Sequence, residues 1–242
     1  MGEDERLATR TLGEGGPRVA FVHGLFGQGR NWTSIARTLA EEGRRVTLVD
    51  LPNHGHSPWT ETSDYLDMAR MVAAECELFG EPVTLVGHSM GGMIALLAAA
   101  RAPERVERLV LIAPAGIFES ASRRSYVLPV LRAVSTVSPR TLPVLGRDLI
   151  RAGPLRLWRV ASELLASDVR PAFRAVRSPS LVIWGGRDRL LPPALGEVFR
   201  SEMQNSRLLV LPKAAHVPML DAPDEVNEAL LRFLHEGADE AS

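Results

Sequence analysis

The sequence predicts an α/β fold with a mostly parallel sheet and helices on both of its faces. Short runs of Val, Leu and Ile, bounded by Gly, Pro or charged residues, alternate along the chain with longer segments of helical periodicity. A run that is apolar at every position is typical of a parallel strand covered on both faces. Regular alternation of such strands with helices favours a layered α/β domain.

The individual elements follow from this alternation. The predicted strands are 19–22, 46–49, 83–86, 109–112, 181–184 and 208–211. The predicted helices are 32–42, 64–79, 90–100, 193–204 and 223–234. In the last of these, Pro223 stands at the first helical position, where its missing N–H costs nothing, and Val226 and Leu230 contribute to one apolar face.

Residues 118–177 interrupt the alternation. They contain five prolines and no clear strand pattern, and long insertions in compact domains commonly serve function. The sequence therefore predicts a core formed by residues 1–117 and 178–242. It also predicts a small helical lid, formed by 118–177 and inserted after the sixth strand of the sheet.

Composition argues against several classes of function. The chain has 242 residues, of which 45% are hydrophobic, and its net charge is −1, so neither nucleic acid nor an anionic membrane attracts it as a whole. The only cysteine, Cys76, has no partner for an internal disulfide. The ligand spacings of common metal sites are also absent, so we expect no metal and no other cofactor.

The amino-terminal residues do not resemble a secretory signal. The run 2–5 is Gly-Glu-Asp-Glu, whereas a signal peptide needs a basic start and an apolar stretch. The longest apolar stretch, near 93–100, is too short to span a bilayer. The expected location is therefore the cytoplasm.

The strongest local signal is the run Gly-His-Ser-Met-Gly at 87–91, between a predicted strand and a predicted helix. A serine in such a tight turn has strained backbone angles, and glycines two residues away allow the turn to close. The hydroxyl then lies at a helix N-terminus, where N–H groups favour developing negative charge. Ser89 is therefore the candidate nucleophile for acyl transfer, and a glycine-rich turn without chemistry is the alternative.

The candidate base and acid follow the nucleophile in the chain. Of the six histidines, only His216 lies at the carboxyl end of a predicted strand that comes after an acid candidate. Asp188 ends the run Trp-Gly-Gly-Arg-Asp at 184–188, directly after a strand, where a carboxylate would orient the imidazole. The order Ser, Asp, His is the one expected for this arrangement. An ordinary turn aspartate is the alternative for Asp188.

Two backbone donors and a substrate pocket complete the predicted site. Acyl transfer needs N–H groups aimed at the developing oxyanion. We assign them to Met90 and to Leu25 in the loop after the first predicted strand, with Phe26 as the alternative to Leu25. Phe26, His88 and Trp158 are assigned to substrate binding. A structural hydrogen bond is the alternative for His88, and lid packing is the alternative for Trp158.

With these residues assembled, the chain resembles the α/β-hydrolase superfamily over nearly its whole length. The matching segments are His23-Gly24, 50–57, 87–92, 184–188 and 216–223, in that order. Within the superfamily the chain is similar to small carboxylesterases with a short lid, to enol-lactonases, and to synthases of menaquinone biosynthesis that eliminate rather than hydrolyse. One departure is Asp221, where relatives often carry Glu.

The resemblance implies a serine hydrolase of the carboxylesterase type. Its partner would be a small-molecule ester, lactone or thioester, cleaved through an acyl-enzyme without a cofactor. Two alternatives are a lyase that uses the same triad to abstract a proton and a non-catalytic binding member of the fold. The segment 118–178 carries eleven Arg and four acidic residues, a balance of +7. These arginines are either solvated or in contact with an anionic substrate.

Overall fold

The computed structural model describes residues 6–25, 27–58, 64–117, 163–164 and 167–236. Seven strands form one sheet: β1 (Thr9–Leu12), β2 (Arg18–Val22), β3 (Arg45–Val49), β4 (Val83–His88), β5 (Val106–Ile112), β6 (Ser180–Gly185) and β7 (Ser206–Leu211). The helices are α1 (Thr33–Glu41), α2 (Tyr65–Leu78), α3 (Met90–Arg101), α4 (Arg170–Phe173), α5 (Ala194–Glu202), α6 (Pro218–Asp221) and α7 (Pro223–His235). A 3-10 turn at Gly29–Trp32 precedes α1.

The strand order creates a crevice at one edge of the sheet. The order is β1-β3-β2-β4-β5-β6-β7, and all neighbours are parallel except β1, which is antiparallel to β3. The chain leaves β2 toward β3 on one side and later returns to β4 on the other. At such a switch point the loops leaving adjacent strands diverge, and the space between them is where open α/β sheets bind ligands.

Strand alternation divides the core into two apolar layers, one on each face of the sheet. In β4, for example, Leu85 packs into the layer that contains α2, α3 and α5, whereas Val86 packs into the layer that contains α1 and α7. Successive side chains of a strand point to opposite faces, and both faces of β4 are fully buried. The predicted α/β class with helices on both faces is confirmed.

The structure departs from the sequence prediction at an edge strand. β1 was not predicted because its sequence, Thr-Arg-Thr-Leu, has no apolar run, and three of its four residues are exposed. This polar antiparallel strand closes an edge that would otherwise offer unpaired backbone groups. With β1 included, five described strands precede the segment 118–177, which therefore follows the fifth strand, β5, rather than the sixth as predicted.

The predicted lid lies largely outside the described residues, and the division into core and lid stays a prediction. Its last part contains α4, whose Phe173 is buried in the layer of α2, α3 and α5. No helix among the described parts of the chain is long and apolar enough to cross a membrane.

His23 joins the loops that follow two adjacent strands. Its ring nitrogen Nδ1 donates to the carbonyl oxygen of Gly24 over 2.8 Å, and its Nε2 accepts from the N–H of Leu51 over 3.0 Å. Because a carbonyl only accepts and an N–H only donates, both bonds need the neutral ring with its proton on Nδ1. Burial, and to a smaller extent the neighbouring His54, lowers the pKa of His23 to about 3.

This buried neutral histidine predicts a loss of stability in acid. The unfolded chain binds a proton on His23 below its ordinary pKa of 6.5, whereas the folded chain does so only below about 3. The stability present above pH 6.5 is therefore lost as the pH falls through this window, by ~1.4 kcal/mol per pH unit for each such group. In His23→Asn, urea unfolding midpoints should depend less steeply on pH across the window. The exposed-site control His235→Gln should keep the wild-type slope, and an unchanged slope in His23→Asn would contradict the assignment.

Candidate active site

Ser89 occupies a strained turn between β4 and α3. Its φ of 53° and ψ of −120° lie in a region that L-residues rarely adopt. The turn closes because its flanking glycines lack side chains: a Cβ on Gly87 would lie 2.3 Å from the Gly91 carbonyl oxygen, and one on Gly91 would lie 2.3 Å from the carbonyl oxygen of His23. The strain is held by the sheet, since the N–H of Ser89 donates to Ile112 of β5 over 3.0 Å.

The three predicted triad side chains form one hydrogen-bonded chain. His216 Nε2 lies 3.1 Å from Ser89 Oγ, and His216 Nδ1 lies 2.8 Å from Asp188 Oδ2. The carboxylate accepts only, so the neutral ring carries its proton on Nδ1 and presents a lone pair to the hydroxyl. Ser89 and Asp188 are buried, whereas the His216 side chain is 16% exposed.

The Asp188 carboxylate is fixed on both of its oxygens. Oδ1 accepts from the N–H groups of Leu190 and Leu191 over 2.8 and 2.9 Å, which leaves Oδ2 for His216. Sequence analysis did not identify these two backbone donors. An aspartate at the start of a turn commonly bonds to N–H groups two and three residues on, so the turn pattern after Asp188 was the available signal.

The loop that carries His216 must cross back over the end of β6. The strands β4 and β7 are separated by two others, a span of roughly 14 Å at the usual strand spacing. The loop packs directly on β6, where a Cβ on Gly185 would lie only 2.0 Å from the Ala215 carbonyl oxygen. The Arg187 N–H donates to the Ala214 carbonyl oxygen over 2.9 Å, and this bond joins the loop after β6 to the loop after β7. Glycine at 185 therefore lets His216 come within hydrogen-bonding distance of Ser89.

The predicted oxyanion donors flank Ser89. Met90 follows Ser89 directly and is the first residue of α3. Leu25 follows Gly24, and a Cβ added to Gly24 would lie 3.2 Å from Ser89 Cβ. No hydrogen bond among the described residues uses the N–H of Met90 or of Leu25.

The predicted substrate contacts have different outcomes. Phe26 and Trp158 lie outside the described residues. His88 is buried, and its Nε2 donates to the carbonyl oxygen of His216 over 2.9 Å. Burial, followed by the nearby ring of His216, lowers the pKa of His88 to about 3. These contacts favour the structural alternative for His88, and a substrate contact by this residue stays a prediction.

The arrangement has the chemistry of an activated nucleophile. A hydroxyl, a neutral imidazole and a buried carboxylate in one hydrogen-bonded row allow the imidazole to take a proton from the hydroxyl while the carboxylate stabilises the resulting cation. In the described parts of the chain, no group of three or more His, Cys, Asp or Glu side chains is arranged to hold a metal ion.

Comparison with known proteins gives the same family as the sequence motifs. The sequence profile of the alpha/beta hydrolase family matches residues 19–229. A pimeloyl-[acyl-carrier protein] methyl ester esterase of Neisseria meningitidis is 31% identical over 245 residues, which cover 91% of this chain and 94% of that protein.

Two further relatives differ in length or in sequence. The dihydrolipoyllysine-residue acetyltransferase component of the acetoin cleaving system of Pseudomonas putida is 32% identical over 92% of this chain, which spans only 64% of that longer protein. The crystal structure of the enol-lactonase from Burkholderia xenovorans LB400 superposes with a TM-score of 0.78 at 24% identity. The match covers 95% of this chain and 96% of that one, and it shows a common fold. With the family profile matched over most of its length, the chain belongs to the α/β-hydrolase family.

Proposed function

We propose that the protein hydrolyses a carboxylic ester, or a related lactone or thioester, through an acyl-enzyme on Ser89. The observation that carries this proposal is the hydrogen-bonded row from Asp188 through His216 to Ser89, with distances of 2.8 and 3.1 Å. A serine with a purely structural role does not require an imidazole at hydrogen-bonding distance, nor a buried carboxylate that fixes the tautomer of that imidazole. Such a row is the usual means of activating a hydroxyl.

The proposed reaction has two halves. His216 Nε2 takes the proton of Ser89 Oγ as the oxygen bonds to the carbonyl carbon, and the imidazolium then gives this proton to the departing alkoxide or thiolate. In the second half, a water gives a proton to His216 as it attacks the acyl carbon. Ser89 Oγ leaves with that proton, and the products are the free acid and the unchanged enzyme.

The N–H groups of Met90 and Leu25 are the proposed oxyanion donors. Each tetrahedral intermediate places a negative charge on the former carbonyl oxygen, beside the start of α3 and the loop after β2. Removing one such donor from a serine hydrolase typically lowers kcat by roughly 10²- to 10³-fold. Neither N–H group donates a hydrogen bond to another described residue, which supports this assignment.

The names of similar proteins support ester cleavage as the reaction class. One relative over 30% identical is called a methyl ester esterase, and a structural neighbour is called an enol-lactonase. Cleavage of a linear ester and of a lactone differ only in whether the leaving group stays tethered to the acyl part. The same row of residues serves both reactions.

Replacing the nucleophile tests the proposal most simply. Ser89→Ala removes the attacking oxygen, so kcat/KM on p-nitrophenyl esters should fall by at least about a thousandfold. The matched control is Ser34→Ala, an exposed serine on α1, which should keep wild-type rates. Esters of increasing chain length would be assayed in parallel. Equal rates in Ser89→Ala and wild type would refute the role of Ser89, and a wild type that is inactive on every ester would favour the lyase alternative.

Replacing the orienting carboxylate tests the tautomer argument. In Asp188→Asn, the amide oxygen has to face the N–H groups of Leu190 and Leu191, so the amide NH₂ faces His216. The ring must then accept at Nδ1 and carry its proton on Nε2, where it blocks the hydroxyl. We expect kcat to fall roughly 10³- to 10⁴-fold, with no loss in the exposed control Asp224→Asn. Retention of wild-type kcat by Asp188→Asn would rule out this role.

A further inference from the structure

His88 lies beside three segments of the site: the turn at Ser89, the loop after β2 and the loop after β7. It is the last residue of β4 and directly precedes Ser89. Strand alternation points its side chain to the same face as Val86, in the layer of α1 and α7. The loop that carries His216 packs on this face, since Val217 and Met219 belong to the same layer.

One edge of the His88 ring holds the loop of the base. Nε2 lies 2.9 Å from the carbonyl oxygen of His216. A carbonyl oxygen only accepts, so the proton of the ring is on Nε2 and the lone pair is on Nδ1. The bond joins the backbone of His216 to the residue next to Ser89. It therefore holds the loop after β7 against the end of β4.

The opposite edge of the ring faces the loop of the proposed oxyanion donor. A Cβ on Gly24 would lie 3.0 Å from His88 Nδ1 and 3.2 Å from the His88 carbonyl oxygen. Only glycine fits there without displacing the ring, and Gly24 is followed directly by Leu25. The ring of His88 is therefore packed between the loop after β2 and the loop after β7.

The surroundings leave the ring little freedom to move. His88 is 8% exposed. Its ring is nearly perpendicular to that of Trp32, with centroids 6.4 Å apart, and its centroid lies 5.1 Å from that of the His216 ring. Its backbone is in register with Ile112 of β5. The ring is thus anchored in the rigid centre of the sheet, whereas His216 stands on a loop.

We propose that His88 is a positioning residue, whose hydrogen bond to the His216 carbonyl oxygen sets the distance between the base and the Ser89 hydroxyl. The inference rests on the proposed function. His88 itself touches neither the reacting bond nor the transferred proton, so its effect should appear in kcat rather than in KM. His216 is the imidazole in contact with Ser89 Oγ, and burial lowers the pKa of the His88 ring, which makes that ring a weak base.

Three variants separate the hydrogen bond from the packing. His88→Phe keeps an aromatic ring beside Trp32 but has no donor. His88→Gln offers an amide N–H at about the reach of Nε2, whereas the amide of His88→Asn is too short. The control is His235→Gln, an exposed histidine at the end of α7.

Steady-state kinetics on a p-nitrophenyl ester would be measured together with thermal unfolding. We expect kcat to fall roughly 10- to 100-fold in His88→Phe and His88→Asn, the scale of loss when a catalytic group is displaced by about 1 Å. KM should stay unchanged. His88→Gln should recover to within about fivefold of wild type, the effect of one hydrogen bond in altered geometry. The low-field proton NMR signal of the His216–Asp188 bond should weaken in His88→Phe and return in His88→Gln.

Several outcomes would overturn the inference. An unchanged kcat in folded His88→Phe would show that the bond is dispensable, and a raised KM with unchanged kcat would make His88 a substrate contact instead. If His88→Phe does not fold, equal kcat values in the Gln and Asn variants would count against a role for the N–H. If the wild type does not hydrolyse the ester, the proposed function is contradicted. If the wild type is active and the His88 variants are unaffected, only the inference about His88 is contradicted.

Discussion

The hydrogen bond between His216 and Ser89 is the interaction on which the rest of the site depends. The two residues follow strands that are not neighbours, so the bond exists only because the loop after β7 turns back across the end of β6. That path requires a residue without a side chain at Gly185. The orientation of the His216 ring depends in turn on the Asp188 carboxylate, which two backbone N–H groups hold in place. The Ser89–His216 contact thus accounts for the glycine at 185, for the anchored carboxylate of Asp188 and for the path of the loop after β7.

Two buried histidines with lowered pKa values hold the loops around that contact. His23 links the loop after β2 to the loop after β3, and His88 links the end of β4 to the loop after β7. Each bonds to a carbonyl oxygen through one nitrogen, and burial disfavours the charged form of both rings. A neutral ring of ordinary basicity at either place could compete with His216 for the proton. Burial therefore favours the neutral form of both rings, and the partly exposed His216 is the imidazole in contact with the Ser89 hydroxyl.

Much of the fold, and the proximity of Ser89, Asp188 and His216, was predictable because the signals are local. Fully buried parallel strands appear as continuous apolar runs, and a tight turn around Ser89 needs glycines at fixed offsets. The edge strand β1 was missed because an exposed antiparallel strand of four residues has no apolar run. A structural hydrogen bond of His88 was foreseen as an alternative, but its partner was not, because the acceptor is the backbone oxygen of His216, which any residue type would supply. No residue pattern records such a bond.

The central claim is that Ser89 carries the acyl group during turnover. The most direct measurement is rapid acid quenching of the enzyme with an excess of a p-nitrophenyl ester, followed by mass spectrometry of the intact protein and of its peptides. A mass increase equal to the acyl group, located on the peptide that contains Ser89 and absent from the alanine variant, is the predicted result. Product formation with no adduct at any time, or an adduct on another residue, would contradict it.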